Sequence, residues 1–189
     1  MGSWASLVDG PTRCLLVRPR FSSDATFYGL RDLVWLTGKK SAAPPLGLLM
    51  VANLLPRDWE VKLVDEEVEP LTDTDLRWAD VVMVSGITSQ LEPMALVLRR
   101  ARALDKPTVV GGSGPTLQPG MYLDLADFVV VGEAEDTVSA LLEDLRSGVT
   151  SGTYRSQQFA DLTRSPVPRY DLCRLDAYMF IGVGYSRGC

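Results

Sequence analysis

Thiol and imidazole side chains, which carry much nucleophilic and metal-dependent chemistry, are scarce in this sequence. The 189 residues include no histidine and three widely separated cysteines, Cys14, Cys173 and Cys189. A Ser-His-Asp or Cys-His nucleophile, a histidine-ligated zinc or iron and an imidazole acid or base are therefore excluded. An odd number of distant cysteines without a signal peptide indicates reduced thiols in the cytoplasm. We expect a function based on binding.

Small and hydroxyl-bearing residues follow several predicted strands, at the position where an open α/β sheet binds its ligand. The segments concerned are residues 18–21, 85–89, 111–114 and 132–135. Three of the four contain glycine, which lets the backbone approach a bulky ligand and tolerates positive φ. These turns are the candidate binding surface.

Each of these features also has a purely structural explanation. Glycine after a strand often marks only a turn, Ser89 suits the cap of the next helix, and Glu133 suits a helix N-terminus. The run 112–114 does not complete Gly-x-Gly-x-x-Gly and follows the fourth strand, which argues against a dinucleotide loop. Arg18 and Arg20 either bind anionic groups or neutralise an acidic surface.

The elements that would position these turns alternate along the chain. Short apolar runs predict strands at residues 14–17, 61–64, 81–84, 108–110 and 128–131. Apolar spacing and start signals predict helices that begin after Pro44-Pro45, at Thr72, at Ser89 and near Val138. The alternation predicts a doubly wound, five-stranded parallel sheet of the flavodoxin-like or Rossmann-like kind.

Two stretches depart from this alternation. Residues 18–43 are long for a strand-to-helix connection, and residues 149–176 have the Ser, Thr, Arg and Pro content of an exposed linker. The apolar run 178–185 predicts one more strand without a partner. We expect an α/β domain at 13–148, a linker at 149–176 and the start of a further domain at 177–189.

Composition excludes other classes of protein. Hydrophobic residues make up 46% and charged residues 23% of the chain, as in a globular domain. The net charge is −5 and the basic residues are scattered, which argues against nucleic-acid binding. Apolar runs are too short to span a membrane.

Taken in order, five motifs resemble those of one family, although each alone is weak. They are Pro44-Pro45-Leu46-Gly47-Leu48, Ser85-Gly86-Ile87, Val109-Val110-Gly111-Gly112, Gly132-Glu133-Ala134-Glu135 and Tyr185-Ser186-Arg187-Gly188-Cys189. The set resembles the N-terminal cobalamin-binding domain of B12-binding radical SAM proteins, including methylase-type members. The last motif is similar to the entry of the radical SAM barrel and its Cys-x-x-x-Cys-x-x-Cys cluster motif.

The resemblance implies a cobalamin site in which the nucleotide tail of the cofactor packs on glycine backbone. Its implied lining is Ser85, Gly86, Ile87, Thr88, Gly111, Gly112, Ser113, Gly132 and Glu133. The family's full enzymes relay a methyl group from SAM through cobalamin, with the barrel in cis or trans. Because the Asp-x-His-x-x-Gly motif is absent, cobalamin is expected without a histidine lower ligand. The resemblance implies that the cofactor's own base is displaced as well.

Cys189 is implied to be the first cluster cysteine, left as a vestigial ligand where the chain is truncated. One cysteine cannot hold a [4Fe–4S] cluster, so the chain alone is expected to be catalytically incompetent.

Two alternatives remain open. Ser22, Ser23, Thr26 and Gly29 could form the phosphate loop of a flavodoxin-like FMN-binding or nucleotide-binding module. The other alternative is that the chain is a truncated remnant that keeps the fold and binds no cofactor. A phosphorelay receiver is excluded, because Arg18, Ser85 and Gly132 occupy the places of its acidic cluster, phosphoacceptor and lysine.

Overall fold

The computed structural model describes residues 11–22, 30–157 and 161–184. Within these ranges, six strands form one sheet: β1 Arg13–Arg18, β2 Glu60–Asp65, β3 Val81–Ser85, β4 Thr108–Gly111, β5 Phe128–Val131 and β6 Gly152–Arg155. Six α-helices of the described residues accompany them: α1 Arg31–Leu36, α2 Leu46–Leu54, α3 Asp73–Trp78, α4 Leu91–Arg102, α5 Ser113–Leu117 and α6 Ala134–Arg146. Short 3₁₀ turns lie at Thr88–Gln90, Pro119–Met121, Leu162–Arg164, Tyr170–Leu172 and Leu175–Ala177.

All the strand pairs are parallel, in the order β2-β1-β3-β4-β5-β6. Leu16 in β1 lies beside Leu63 in β2 and Met83 in β3. The strand order therefore reverses at β1, as in a flavodoxin-like sheet. The predicted α/β class and its five strands are confirmed.

Both faces of the sheet are covered, which explains the continuous apolar runs. On one face Leu16, Met83 and Val130 pack against α2 and α6. On the other, Leu15 and Val82 pack against α3 and α4. The carboxyl ends of the strands thus lie between two helical layers, and their turns form one edge of the molecule.

The sixth strand, β6, corrects the prediction of an exposed linker from residue 149. It pairs with β5 from Phe128 beside Gly152 to Val131 beside Arg155. Tyr154 is its one buried residue, and the Tyr154 ring centroid lies 6.1 Å from that of Phe128. A four-residue edge strand with one buried side chain has too little hydrophobic pattern to be predicted.

The predicted strand at 178–185 is wrong over its described part, residues 178–184. Tyr178 forms only an isolated parallel bridge with Ser41, and a 3₁₀ turn precedes it. The Met179 and Phe180 amides both donate to the Ala42 carbonyl, whereas successive residues of a regular strand do not share one acceptor. Residues 178–184 therefore form a short irregular segment next to the α/β domain.

The start of α4 also differs from the predicted cap at Ser89. Ser89 lies inside the 3₁₀ turn, and α4 begins at Leu91 without a side-chain cap. Gln90 organises the turn instead: its side-chain oxygen accepts from the Ile87 amide at 3.0 Å, and its side-chain nitrogen donates to the Pro19 carbonyl. A buried amide group that bonds two loops replaces the local cap.

Candidate functional site

An apolar cleft opens at the carboxyl ends of β3, β4 and β5, between α2 and α6. Its free volume is about 60 Å³. The cleft is lined by Leu48, Val51, Met83, Val84, Ser85, Val109, Gly111, Gly112, Val130, Gly132, Ala134, Val138 and Leu141. Strand side chains form its floor, turns form its edge, and one helix forms each wall.

The structure brings four of the predicted site residues together at this edge. Ser85, Gly111, Gly112 and Gly132 all line the cleft. They come from three different turns, since parallel strands end side by side. These four residues therefore share one surface, and their role in binding stays a prediction.

The other predicted site residues do not line the cleft: Gly86, Ile87, Thr88, Ser113 and Glu133. Gly86 faces the opposite helical layer, where an added Cβ would lie 2.7 Å from the Met94 sulfur. Thr88 and Ser113 are exposed, and Glu133 stands at the N-cap of α6. The turn after β3 therefore contributes Ser85 to this cleft. Gly86, the next residue, packs against Met94 of α4 instead.

Two of the edge glycines are required by backbone conformation and by crowding. Gly112 has φ 97°, and a Cβ there would lie 2.5 Å from the Ser85 hydroxyl oxygen. Gly132 has φ 90°, and a Cβ there would lie 2.9 Å from the Ser156 Cβ. Left-handed conformation and close neighbours both select glycine, so the edge of the cleft is bare backbone.

Thr116 joins the two glycine turns and was missed by sequence reasoning. Its hydroxyl donates to the Gly112 carbonyl at 2.8 Å and accepts from the Gly132 amide at 2.9 Å. A threonine four residues after a glycine turn is a common helical pattern, so the sequence alone carried no signal for this bridge. The bridge fixes the distance between the turns.

The cleft has almost no polarity. Ser85 contributes the one polar side chain among the residues that line it. The walls, from Leu48 and Val51 of α2 and Val138 and Leu141 of α6, are aliphatic. Sequence analysis identified these helices but assigned their apolar positions to the core. An aliphatic slot with one hydroxyl suits a flat apolar group that offers a hydrogen-bond partner.

The neighbouring part of the same edge, beyond β1 and β2, is filled by polar side chains. The Arg18 guanidinium lies 2.6 Å from the Asp65 carboxylate and also donates to the Ala43 carbonyl at 2.8 Å. The Tyr178 hydroxyl donates to Asp65 at 2.8 Å. Burial, and then the Asp65 charge, raises the pKa of Tyr178 well above its usual value. Arg18 thus neutralises a buried carboxylate.

Some predicted residues lie outside the described part of the chain. These are Cys189, with the rest of the motif 185–189, and the Ser23, Thr26 and Gly29 of the phosphate-loop alternative. Across residues 11–22, 30–157 and 161–184, no group of three or more His, Cys, Asp or Glu residues is placed to hold a metal ion. In the same ranges, no helix has the length and hydrophobicity needed to cross a membrane.

The fold and the cleft together define a doubly wound α/β domain with an apolar cleft at the carboxyl edge of its sheet. The chain belongs to the B12 binding domain family, whose profile matches residues 38–142. The resemblance to a cobalamin-binding domain is thereby confirmed.

Several curated relatives match most of this chain. An uncharacterized methyltransferase of Synechocystis is 41% identical over 178 residues, which cover 94% of this chain and 33% of the relative. The hopanoid C-2 methylase of Rhodopseudomonas palustris is 35% identical over 94% of this chain and 34% of its own length. The bacteriochlorophyllide d C-12(1)-methyltransferase of Chlorobaculum tepidum is 26% identical over 67% of this chain and 28% of its length.

The chain spans about a third of the length of the curated relatives it matches. No solved structure matches the chain significantly.

Proposed function

We propose that this chain is the cobalamin-binding module of a B12-dependent radical SAM enzyme of the methyltransferase type. The observation that carries the proposal is the aliphatic cleft with a glycine edge and a single hydroxyl, formed where β3, β4 and β5 end. Membership of the B12 binding domain family supports cobalamin as the ligand. The printed names of the relatives support methyl transfer as the reaction class.

The residues of the cleft fit the benzimidazole base at the end of the cobalamin tail. They suit the phosphate of the tail and the cobalt less well. The benzimidazole base is flat and apolar, and α2 and α6 offer it aliphatic walls at Leu48, Val51 and Val138. Gly112 and Gly132 leave room for the tail at the edge, and Ser85 offers a hydroxyl. When bound, cobalamin supplies a cobalt centre that can carry a methyl group.

The chain has no imidazole with which to ligate that cobalt. A base inserted between α2 and α6 would also be held away from its own metal. We infer that cobalamin is bound with its base displaced and without a histidine lower ligand. This state has its own visible spectrum, which makes the inference measurable.

The test is retention of hydroxocobalamin by the purified chain after desalting, followed by its visible spectrum. Ala134→Phe places a ring in the cleft, and Ala140→Phe places the same ring on the exposed face of the same helix. We expect retained corrinoid with a base-off spectrum in wild type and Ala140→Phe, and its loss in Ala134→Phe. Circular dichroism of each variant checks that the fold is intact.

The same variants distinguish the alternatives. Equal retention by the two phenylalanine variants would reject this cleft as the tail site. Retention of FMN and not of cobalamin would favour the flavodoxin-like module. A folded chain that retains neither cofactor would favour the truncated remnant.

We infer further that methylation requires a radical SAM barrel in cis or trans. The motif 185–189 supports this inference, because Cys189 corresponds to the first cysteine of a cluster motif. One thiolate does not hold a [4Fe–4S] cluster, so the chain alone is expected to produce no methylated product from SAM. Cleavage of SAM by the chain after reconstitution with iron and sulfide would contradict this expectation.

A further inference from the structure

A segment of the predicted linker crosses from one wall of the cleft to the other. At one end the Ser165 hydroxyl donates to the Glu135 carboxylate at 2.7 Å, in the first turn of α6. At the other end Asn53 of α2 donates its side-chain amide to the Val167 carbonyl at 2.7 Å. We call residues 165–169 the clasp segment. It ties together the two helices that form the cleft walls.

The two attachments of the clasp segment are unequal. On α2, the Asn53 bond is joined by a backbone bond from the Arg169 amide to the Leu49 carbonyl, 3.0 Å long. The next residues, Tyr170 and Leu172, pack against the core cluster that includes α2. On α6, the clasp segment is held through the Ser165 hydroxyl, which donates to Glu135. This bond depends on a side chain of the clasp segment, so a substitution at Ser165 removes it.

The size of the cleft makes this clasp relevant to binding. A free volume of about 60 Å³ accommodates a few water molecules and is smaller than a bicyclic aromatic base. Close-packed aliphatic walls do not yield locally without cost, so the base can enter only if α2 and α6 separate. A segment hydrogen-bonded to both helices opposes that separation.

We propose that the clasp segment gates the cleft, and that its Ser165 attachment to α6 breaks when the ligand enters and stays broken while the ligand holds the walls apart. This inference rests on the proposed cobalamin-binding function and adds a conformational step to it. The bond is then present only in the ligand-free chain, so removing it lowers the barrier to entry and leaves the barrier to exit unchanged. Loosening the bond therefore raises the association rate constant and the affinity by the same factor.

The test uses the full 189-residue chain and stopped-flow mixing with hydroxocobalamin, with dissociation measured by competition. Ser165→Ala removes the α6 attachment. Thr163→Ala is the matched control, because Thr163 bonds only to nearby Asp161 in the same predicted linker. We expect Ser165→Ala to raise the association rate constant about fivefold, equivalent to about 1 kcal/mol, and to leave the dissociation rate constant unchanged. Thr163→Ala is expected to leave both unchanged.

The outcomes separate the clasp from the function on which it rests. Binding with equal rate constants in wild type, Ser165→Ala and Thr163→Ala would overturn the clasp and leave cobalamin binding intact. If wild type retains no corrinoid, the proposed function fails, and hydrogen exchange then tests the clasp without ligand. Faster exchange of the Ser165, Val167 and Arg169 amides in Ser165→Ala than in Thr163→Ala supports a clasp, and equal exchange overturns it.

Discussion

The carboxyl edge of the sheet contains two neighbouring regions that are built in opposite ways. Beyond β1 and β2, the side chains of Arg18, Asp65 and Tyr178 meet within hydrogen-bond distance and fill the edge. Beyond β3, β4 and β5, the turns at Gly112 and Gly132 present bare backbone, and a cleft remains. Charged residues after a strand therefore stabilise the fold here, whereas bare backbone surrounds the proposed binding region.

This difference has an energetic basis. A buried carboxylate is costly unless a cation and hydrogen-bond donors satisfy it, and Asp65 is 3% exposed. Arg18 and Tyr178 satisfy it, so they are not available to a ligand. The cleft region exposes few groups that require partners, and a ligand can occupy it without displacing a protein contact.

The largest effect on stability is expected from removing the buried carboxylate of the polar region beyond β1 and β2. Asp65→Ala leaves the Arg18 guanidinium, whose side chain is 12% exposed, without its carboxylate. We expect the free energy of unfolding to fall by about 3–5 kcal/mol, the usual cost of removing one partner of a buried pair. Urea unfolding measures it. Asp73→Ala, which breaks the exposed pair with Arg100, is the control and should cost less than about 1 kcal/mol.

A smaller effect is expected at the cleft edge, where Gly112→Ala adds a Cβ to a crowded left-handed position. Strain of this kind costs about 1–3 kcal/mol. Gly148→Ala is the matched control, because Gly148 also has positive φ (77°) but has no atom within 4 Å of its added Cβ. We expect urea unfolding to show the larger loss for Gly112→Ala. Equal losses would mean that crowding by Ser85 and Gly86 adds nothing.

The smallest effect is expected from Tyr178→Phe, which removes one donor to Asp65. Near neutral pH the free energy of unfolding should fall by about 1 kcal/mol. The native pKa of Tyr178 is raised by burial and by Asp65, so its protonated form adds stability below the unfolded pKa, about 10, and that stability is lost as pH rises further. Wild type should therefore lose more stability above about pH 10 than Tyr178→Phe does. Parallel alkaline unfolding curves would contradict this.

The strands that the sequence predicted and the one that it missed differ in how they are buried. β1, β3 and β5 lie between two helical layers, so each contains a continuous run of four apolar residues, which predicts a buried strand. β6 buries only Tyr154 at the edge, and its Ser- and Thr-rich surroundings resemble a linker. The run 178–184 was predicted as a strand because it is apolar, but it has only Ser41 and Ala42 to pair with.

The candidate site was predictable in part for a related reason. Gly112 and Gly132 were found because glycine after a parallel strand is a local signal with a known position on the edge. Gly86 carries the same signal but supports α4, since its missing side chain makes room for Met94 and Gln90. Nothing local distinguishes a glycine that opens a cleft from one that admits a neighbouring side chain.

By itself the sequence determined the parallel α/β class, the turns at the carboxyl edge and the absence of histidine chemistry. Each of these follows from residue type or from spacing over a few positions. The tertiary structure alone decided that Arg18 pairs with Asp65, that Tyr178 returns to the same carboxylate, and that residues 165–169 join α2 to α6. These contacts connect positions far apart in the chain, so they depend on which surfaces the folded sheet brings together and not on any local pattern.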